Sequence, residues 1–398
     1  MTEAELRERL RATRIDGHPG AEQRAWEVVR SAYDPAAGSR RRRHWRITVP
    51  AIACLVAVVA IVLASASAPR DALARWIRQA IGFSAQPHAR PRLAGLPGGG
   101  RLLVNSPGGP WIVDADGTRR YLGPYVAAAW SPHSLYVVAW RAAKLAALDP
   151  QGRPQWTLTT DATVGVARWS PDGYRIAYVA GGALNIVAGD GSDNHQLDRA
   201  VGPVTPAWEP GTGHVHRIAF LDRGGDVELR DADTRARLWR MKPPVAPRQL
   251  LWSPDGTRLL TVATHQLSVY DTHGRLIATK RMPSAEIVGP AAFATPDSVA
   301  VILHPVNQPV DSIVVISADK RGFRAASQSL FTAPEQITAI DWSPNNAWLL
   351  ASSPSADQWI FIHVTAPTRL TAVSDIDDQF RRTGTRAPGF PDPAGWQP

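Results

Sequence analysis

The sequence predicts an all-β, seven-bladed propeller preceded by a short helical segment and a single apolar helix. Three observations carry this. A phrase built on tryptophan and Ser-Pro recurs about every 40 residues, which is blade-like spacing. Each recurrence sits among short alternating apolar runs bounded by turn residues. One stretch of 22 residues near the start carries no charge.

Residues 1–46 contain "MTEAELRERLRATRI" and "AEQRAWEVVRSAY", which read as two short helices. The second places Trp26, Val29 and Tyr33 at i, i+3 and i+7, with Ala25 and Val28 beside them. So short a segment cannot build its own core, and isolated helices of this length are marginal in water. Trp26, Val29 and Tyr33 are therefore candidate partner-binding residues. A non-specific anchor lying on the inner leaflet is the alternative.

Residues 47–68 read "ITVPAIACLVAVVAIVLASASA". A helix of that length spans about 33 Å, matching a bilayer core of roughly 30 Å. Pro50 falls in the first turn, where a missing N–H costs little. The flank before the run is "SRRRRHWR" and the one after it begins "PRDALARW", so the positive-inside rule puts residues 1–46 in the cytoplasm and the rest outside. The expected location is the cell membrane, crossed once. A cleaved signal peptide would also use the small residues of "ASASA", but the long leading segment, the length of the apolar run and Pro69 argue against it.

Residues 69–92 follow as a juxtamembrane helix and linker. "RDALARWIRQAIG" gathers Leu73, Trp76, Ile77, Ala80 and Ile81 on one face, a face that suits the outer leaflet or the surface of a folded domain. "FSAQPHARPR" then reads as linker.

The repeats occupy residues 93–378. "ARWSPDGYRIAYVA" at Trp169 returns as "AAWSPHSLYVVAW" at Trp130, "PAWEPGTGHVHRIAFL" at Trp208, "LLWSPDGTRLLTVA" at Trp252 and "IDWSPNNAWLLASS" at Trp342. "AAFATPDSVAVIL" puts Phe293 in the tryptophan position. In "AGLPGGGRLLV", Pro97, Arg101 and Leu102 align with Pro171, Arg175 and Ile176, leaving Gly95 where the tryptophan is expected. The steps are 35, 39, 39, 44, 41 and 49 residues, which gives seven units, with six blades and a capping unit as the alternative. In the Trp169 unit "GVARW" and "RIAYVA" flank the Ser-Pro-Asp-Gly turn, "LNIVA" follows and "HQL" closes. Pro171 presets φ, Asp172 accepts local backbone hydrogen bonds and Gly173 tolerates positive φ. A second turn family begins at Asp114, Asp149, Gly189, Asp231 and Asp271; it lacks the downstream glutamate of an EF-hand and reads as turns rather than calcium loops. Trp130, Trp169, Trp208, Trp252, Phe293 and Trp342 are read as structural, because one blade cannot bury its own faces and must seal against the next.

The phrase "WSPDGYRIAYVA", followed by a strand and an Asp-rich turn, resembles the TolB-like and WD-repeat-like propeller families over residues 93–378. The resemblance implies a propeller fold and a range of roles, from scaffold to periplasmic accessory protein to the propeller half of a peptidase. His133 and Asn345 stand where the pattern has aspartate, and the Gly95 and Phe293 units lack the tryptophan. The order of helical segment, span and outer domain also resembles membrane-bound anti-sigma regulators, without their zinc-binding His-Cys-Cys motif. That second resemblance implies a cytoplasmic sigma factor as partner.

Composition and motifs narrow the chemistry. The formal net charge is +9, of which residues 1–46 supply +4 from 11 basic and 7 acidic residues. Only four of the 44 basic residues are lysine, and no basic-aromatic constellation of a nucleic-acid reader appears, so no nucleic-acid partner is expected. The single cysteine, Cys54, lies in the apolar run, which excludes an intramolecular disulfide and a multi-cysteine zinc site. No G-x-S-x-G elbow occurs. "LPGGGRLL" lacks the Lys-Ser/Thr of a phosphate loop and reads as a worn repeat turn. His214 and His216 form a lone H-x-H with no third ligand in sequence. Catalytic residues, cofactor and metal are therefore all expected to be absent, and residues 379–398 are expected to be a disordered Pro/Gly-rich tail. The expected function is non-enzymatic binding of an extracytoplasmic protein or peptide, with signalling to a cytoplasmic partner. An envelope-assembly scaffold and a channel-centred lactonase or lyase are the alternatives.

Overall fold

In the computed structural model, the described residues are 92–398 except 212–215, 285, 309, 320, 366–367 and 383–388. The expected helical segment 1–46, the span 47–68 and all but the last residue of 69–92 lie outside them. Among the described residues no helix is long and apolar enough to cross a membrane.

Alternating apolar runs joined by tight turns build seven antiparallel sheets of four strands. Blade one joins β28 (Asp392–Gln397) to β1 (Arg101–Ser106), β2 (Gly109–Val113) and β3 (Arg119–Tyr121). Blades two to seven are continuous in sequence: β4 (Ala127–Trp130) to β7 (Pro154–Thr159), β8 (Val164–Trp169) to β11 (His195–Asp198), and β12 (Ala207–Trp208) to β15 (Arg237–Met241), then β16 (Gln249–Trp252) to β19 (Leu276–Arg281), β20 (Glu286–Thr295) to β23 (Gly322–Ala333), and β24 (Ala339–Trp342) to β27 (Arg369–Ser374). The four runs read in the Trp169 unit are the four strands of blade three.

Seven blades is the observed count, but the ring closes differently from the sequence reading. The innermost strand of blade one comes from the far end of the chain, with Leu102 opposite Trp396 and Leu103 opposite Gly395. Trp396, 5% exposed, fills the place assigned to Gly95. The alignment of Pro97, Arg101 and Leu102 with the third unit holds, because only the innermost strand is replaced. The described residues of the expected disordered tail 379–398 are structured in part: Asp392–Gln397 is a paired strand and Phe380 is fully buried. An innermost strand pairs along one edge only, which lets "DPAGWQ" serve despite its proline.

The core divides into seven apolar clusters, one at each seam between neighbouring blades, and each holds one repeat aromatic. Trp130 seals blades one and two, Trp169 two and three, Trp208 three and four, and Trp252 four and five. Phe293 packs between five and six, Trp342 between six and seven, and Trp396 between seven and one. The indoles of Trp130, Trp208 and Trp342 donate to the carbonyls of Gly395, Arg168 and Ala292. Each acceptor directly precedes the aromatic of the previous blade, so the same bond recurs in blades two, four and seven, while the indole N–H groups of Trp169 and Trp252 have no partner among the described residues.

Candidate functional site

Two turns of each of blades two to seven lie on the same face of the blade, because successive strands run antiparallel: the inner turn after the innermost strand, and the outer turn after the third. The inner turn is a repeated hydrogen-bonded device. In blade three the Ser170 hydroxyl donates to Asp172 at 2.6 Å and accepts from the Arg175 N–H at 2.9 Å, with Gly173 at φ +80°. Ser253 and Asp255 do the same in blade five. In blade seven Asn345 replaces aspartate yet accepts from Ser343 at 2.7 Å and from the Ala347 N–H at 3.0 Å. Only a side-chain oxygen is needed there, so that departure from the repeat pattern is neutral. The outer turns are closed by their own aspartates: Asp149 accepts from the N–H groups of Gln151 and Arg153, and Asp271 from those of His273 and Arg275. Their acceptor oxygens already serve the backbone, as the turn reading requires. No metal-binding group of three or more His, Cys, Asp or Glu occurs among the described residues.

The arginine that opens the second strand is the repeated element that sequence reasoning passed over. Arg175 pairs with Asp233 of blade four at 2.7 Å. Arg258, 2% exposed, reaches blade six, donating to the Ala318 and Pro296 carbonyls and pairing with Asp297 at 2.8 Å. Arg101 lies over the Trp130 ring of blade two. The sequence shows this recurrence in "GGGRLL", "DGYRIA" and "DGTRLL". Part of the basic excess therefore clamps blades together. A second tryptophan family does the same at the rim: Trp156 donates to Gly189 of the next blade and Trp239 to Thr272.

His216, the described member of the H-x-H pair, is buried at the seam of blades three and four. Its Nδ1 lies 2.5 Å from Asp233 and its Nε2 2.8 Å from Asp172, so both ring nitrogens are occupied by carboxylates. Desolvation raises both carboxyls, but hydrogen bonds and charge outweigh it: Ser170, Tyr174 and His216 hold Asp172, and His216 with Arg175 holds Asp233, below the ordinary aspartate value. This is a structural clasp. His214 lies outside the described residues.

Exposed apolar side chains collect on the inner turns of blades two and three. Leu135 is 60% exposed, Tyr136 43% and Tyr174 54%. The turns that carry them touch: a Cβ on Gly173 would lie 3.7 Å from Pro132. The residues one before the repeat aromatics are Ala129, Arg168, Ala207, Leu251, Ala292, Asp341 and Gly395, and Ala129, Ala207, Leu251 and Ala292 pack into the seam with the next blade. One carboxylate, Asp341, and one guanidinium, Arg168, occur in this row. Desolvation pushes the Asp341 carboxyl up to about 7, against the N–H groups of Trp342 and Trp396 that face it.

Of the predicted residues, Trp130, Trp169, Trp208, Trp252, Phe293 and Trp342 are brought to equivalent seams rather than to one site. Trp26, Val29 and Tyr33 lie outside the described residues.

Residues 327–363 match the family model "WD domain, G-beta repeat". The match covers the outer strand of blade six and the first three strands of blade seven, one strand out of phase with the sheets. No curated protein matches the chain. Among solved structures, Kluyveromyces lactis Hsv2 aligns with TM-score 0.53 at 13% identity, covering 69% of this chain and 95% of its own. A second structure of Kluyveromyces lactis Hsv2, with complete loop 6CD, aligns with TM-score 0.54 at 13% identity and the same coverage. At that identity the likeness shows the propeller fold alone.

Proposed function

We propose that this chain is a membrane-anchored, non-enzymatic binding protein whose propeller engages a protein or peptide on the inner-turn face. The observation that carries the reading is the exposed group Leu135, Tyr136 and Tyr174 on adjoining turns of a closed seven-bladed ring. Rigid turns that present aromatic side chains favour recognition, since a tyrosine brings contact area with few rotatable bonds. The WD40 match supports a scaffold role, the usual work of such propellers. The uncharged run 47–68 and its basic N-terminal flank support a single span with residues 1–46 in the cytoplasm. Trp26, Val29 and Tyr33 then form the apolar face offered to a cytoplasmic partner, for which a sigma factor is the reading to test.

The test is site-specific photo-crosslinking of the full chain in its own cells. A photoreactive residue at Tyr136 is expected to give a discrete adduct, while one at Leu276 on an outer strand gives none. Identical patterns at both positions would refute the inner-turn face as the docking surface. Co-purification with the full chain, compared with a Trp26→Ala, Val29→Ala variant, tests the cytoplasmic arm separately.

A further inference from the structure

Charge in this ring is sorted by face and by side. The inner turns touch from blade to blade: Ser134 donates to Pro398 at 3.0 Å, a Cβ on Gly173 would lie 3.7 Å from Pro132, and Asp172 faces His216 at 2.8 Å. A Cβ on Gly256 would meet the Pro210 carbonyl, Arg258 donates to the Pro296 carbonyl, and a Cβ on Gly100 would lie 2.9 Å from Pro344. These contacts run through all seven blades, so the inner turns share one face of the ring. The turns after each second strand and the links between blades share the other. On that second face, the turns and links of blades two to five carry Arg141, Lys144, Arg199, Arg223, Lys242 and Arg248, all exposed and none in an ion pair with a described carboxylate. The acids there are Asp222 and Asp226, both paired with Arg240, and Asp161. Blade seven, the link into it and the segment leaving it carry the opposite sign: Glu335, Asp357, Asp375, Asp377 and Asp378 stand against Arg381 and Arg382. The Asp377 N–H donates to the Asp357 carboxylate at 2.8 Å, which holds this segment on the same face. Burial raises the Asp357 carboxyl above the ordinary aspartate value, and the charges of Asp377, Asp375 and Asp378 push it the same way, so these carboxylates lie close enough to feel one another. In a ring of seven, blade seven stands across from the junction of blades three and four. The basic and acidic sides of this face are therefore opposed.

We propose that this face docks a second copy of the chain, the two copies meeting face to face about a two-fold axis. A two-fold interface sets one patch against itself, so the patch must be complementary to its own image. With the axis in the plane of the face and perpendicular to the line joining the two sides, the basic side of each copy lies over the acidic side of the other. A face of one sign repels its own copy; this one attracts it. Val126, Val245 and Val306, which are 65%, 43% and 57% exposed, lie on the same face and add apolar contact. Val126 and Val306 fall between the charged sides, one to each flank, where each copy meets the like region of the other. Complementary charge governs orientation and encounter rate more than affinity, so the dimer is reversible and sensitive to salt. The inner-turn face stays open in both copies, and a dimer presents the Leu135, Tyr136 and Tyr174 group twice. The pairing rests neither on the partner of that group nor on the membrane span.

The experiment is sedimentation velocity of the full chain in a nonionic detergent over a range of micromolar concentrations. The parent is expected to show a monomer–dimer equilibrium at about 0.01 M salt that weakens about tenfold or more at about 1 M, where the screening length falls from about 30 Å to about 3 Å. Two variants each reverse one side. Arg223→Glu, Lys242→Glu, Arg248→Glu makes the basic side acidic, and Glu335→Lys, Asp378→Lys turns the acidic side toward basic. Neither variant is expected to self-associate, since each then meets its own sign. An equimolar mixture of the two is expected to dimerise, because both contacts become complementary again. Pairing restored in the mixture shows that each variant is folded. A parent that is monomeric throughout, a dimer that persists in both variants, or variants that stay monomeric when mixed would overturn the proposal.

Discussion

Replacing Trp396 by alanine tests how the ring is closed. Trp396 is 5% exposed in the seam of blades seven and one, among Leu96, Leu102, Leu350 and Phe361. Its ring meets Phe361 edge-on at 5.8 Å, and its indole donates to the Gly99 carbonyl at 2.7 Å. Truncating a buried tryptophan to alanine costs about 3–5 kcal/mol. Leaving the Gly99 carbonyl without its donor adds about 1 kcal/mol, for a total of about 4–6 kcal/mol. At about 2 °C per kcal/mol for a domain of this size, the melting temperature falls by about 8–12 °C. The assay is thermal unfolding of the purified full chain followed by near-ultraviolet circular dichroism. Trp252 supplies the internal comparison, because its indole Nε1 has no hydrogen-bond partner among the described residues. Trp396→Phe is therefore expected to cost about 1 kcal/mol more than Trp252→Phe. A shift of under about 2 °C for Trp396→Ala, the size expected of a surface position, would refute closure through this strand.

Three further predictions concern the same seams. Gly100 sits at φ +70°, and a Cβ there would lie 2.3 Å from the Gln397 carbonyl, so Gly100→Ala is expected to cost more than about 1 kcal/mol by urea unfolding, against a null effect if β28 were loosely held. Asp172 and Asp233 have folded pKa values below the unfolded one, so their contribution to stability is full above the unfolded aspartate value and is lost as pH falls through the folded values. The double variant Asp172→Asn, Asp233→Asn should flatten the acid limb of a melting-temperature profile below about pH 4, and an unchanged limb would show that the His216 clasp contributes nothing. Asp341 shifts the opposite way: its folded pKa of about 7 means that stability falls as pH rises from the unfolded value toward 7 and is level beyond. Asp341→Asn should therefore gain on the parent as pH rises from 4 to 7, and a gain independent of pH would contradict the burial of this carboxyl.

Much of the architecture is written locally. The Ser-Pro-Asp-Gly turn closes on oxygens within its own few residues, so "WSPDG" identifies a hairpin without reference to the rest of the chain. The apolar alternation of "RIAYVA" identifies a buried strand in the same way, and blade three matches its reading strand for strand. The closing strand is different. "DPAGWQ" has the composition of a tail, and it becomes a strand only because β1 offers an unpaired edge and the seam beside it needs a large aromatic. Trp396 stands 54 residues after Trp342 while the first unit lacks a tryptophan, and those two facts together are the trace of closure that the sequence holds.

The candidate sites divide along the same line. Leu135, Tyr136 and Tyr174 belong to two repeat units, and only the docking of blade three on blade two brings their turns together. His216 looked like half of a metal pair, and it acquired its partners Asp172 and Asp233 from two other turns, brought together only when blade four docks on blade three. The sequence by itself determined the repeat, its period, its turns and the aromatic at six of the seven seams, because those depend on contacts within a blade or on one recurring residue. The tertiary structure decided which strand closes the ring and which arginines clamp neighbouring blades, because each depends on contacts between blades that are adjacent in space and up to the whole domain apart in sequence.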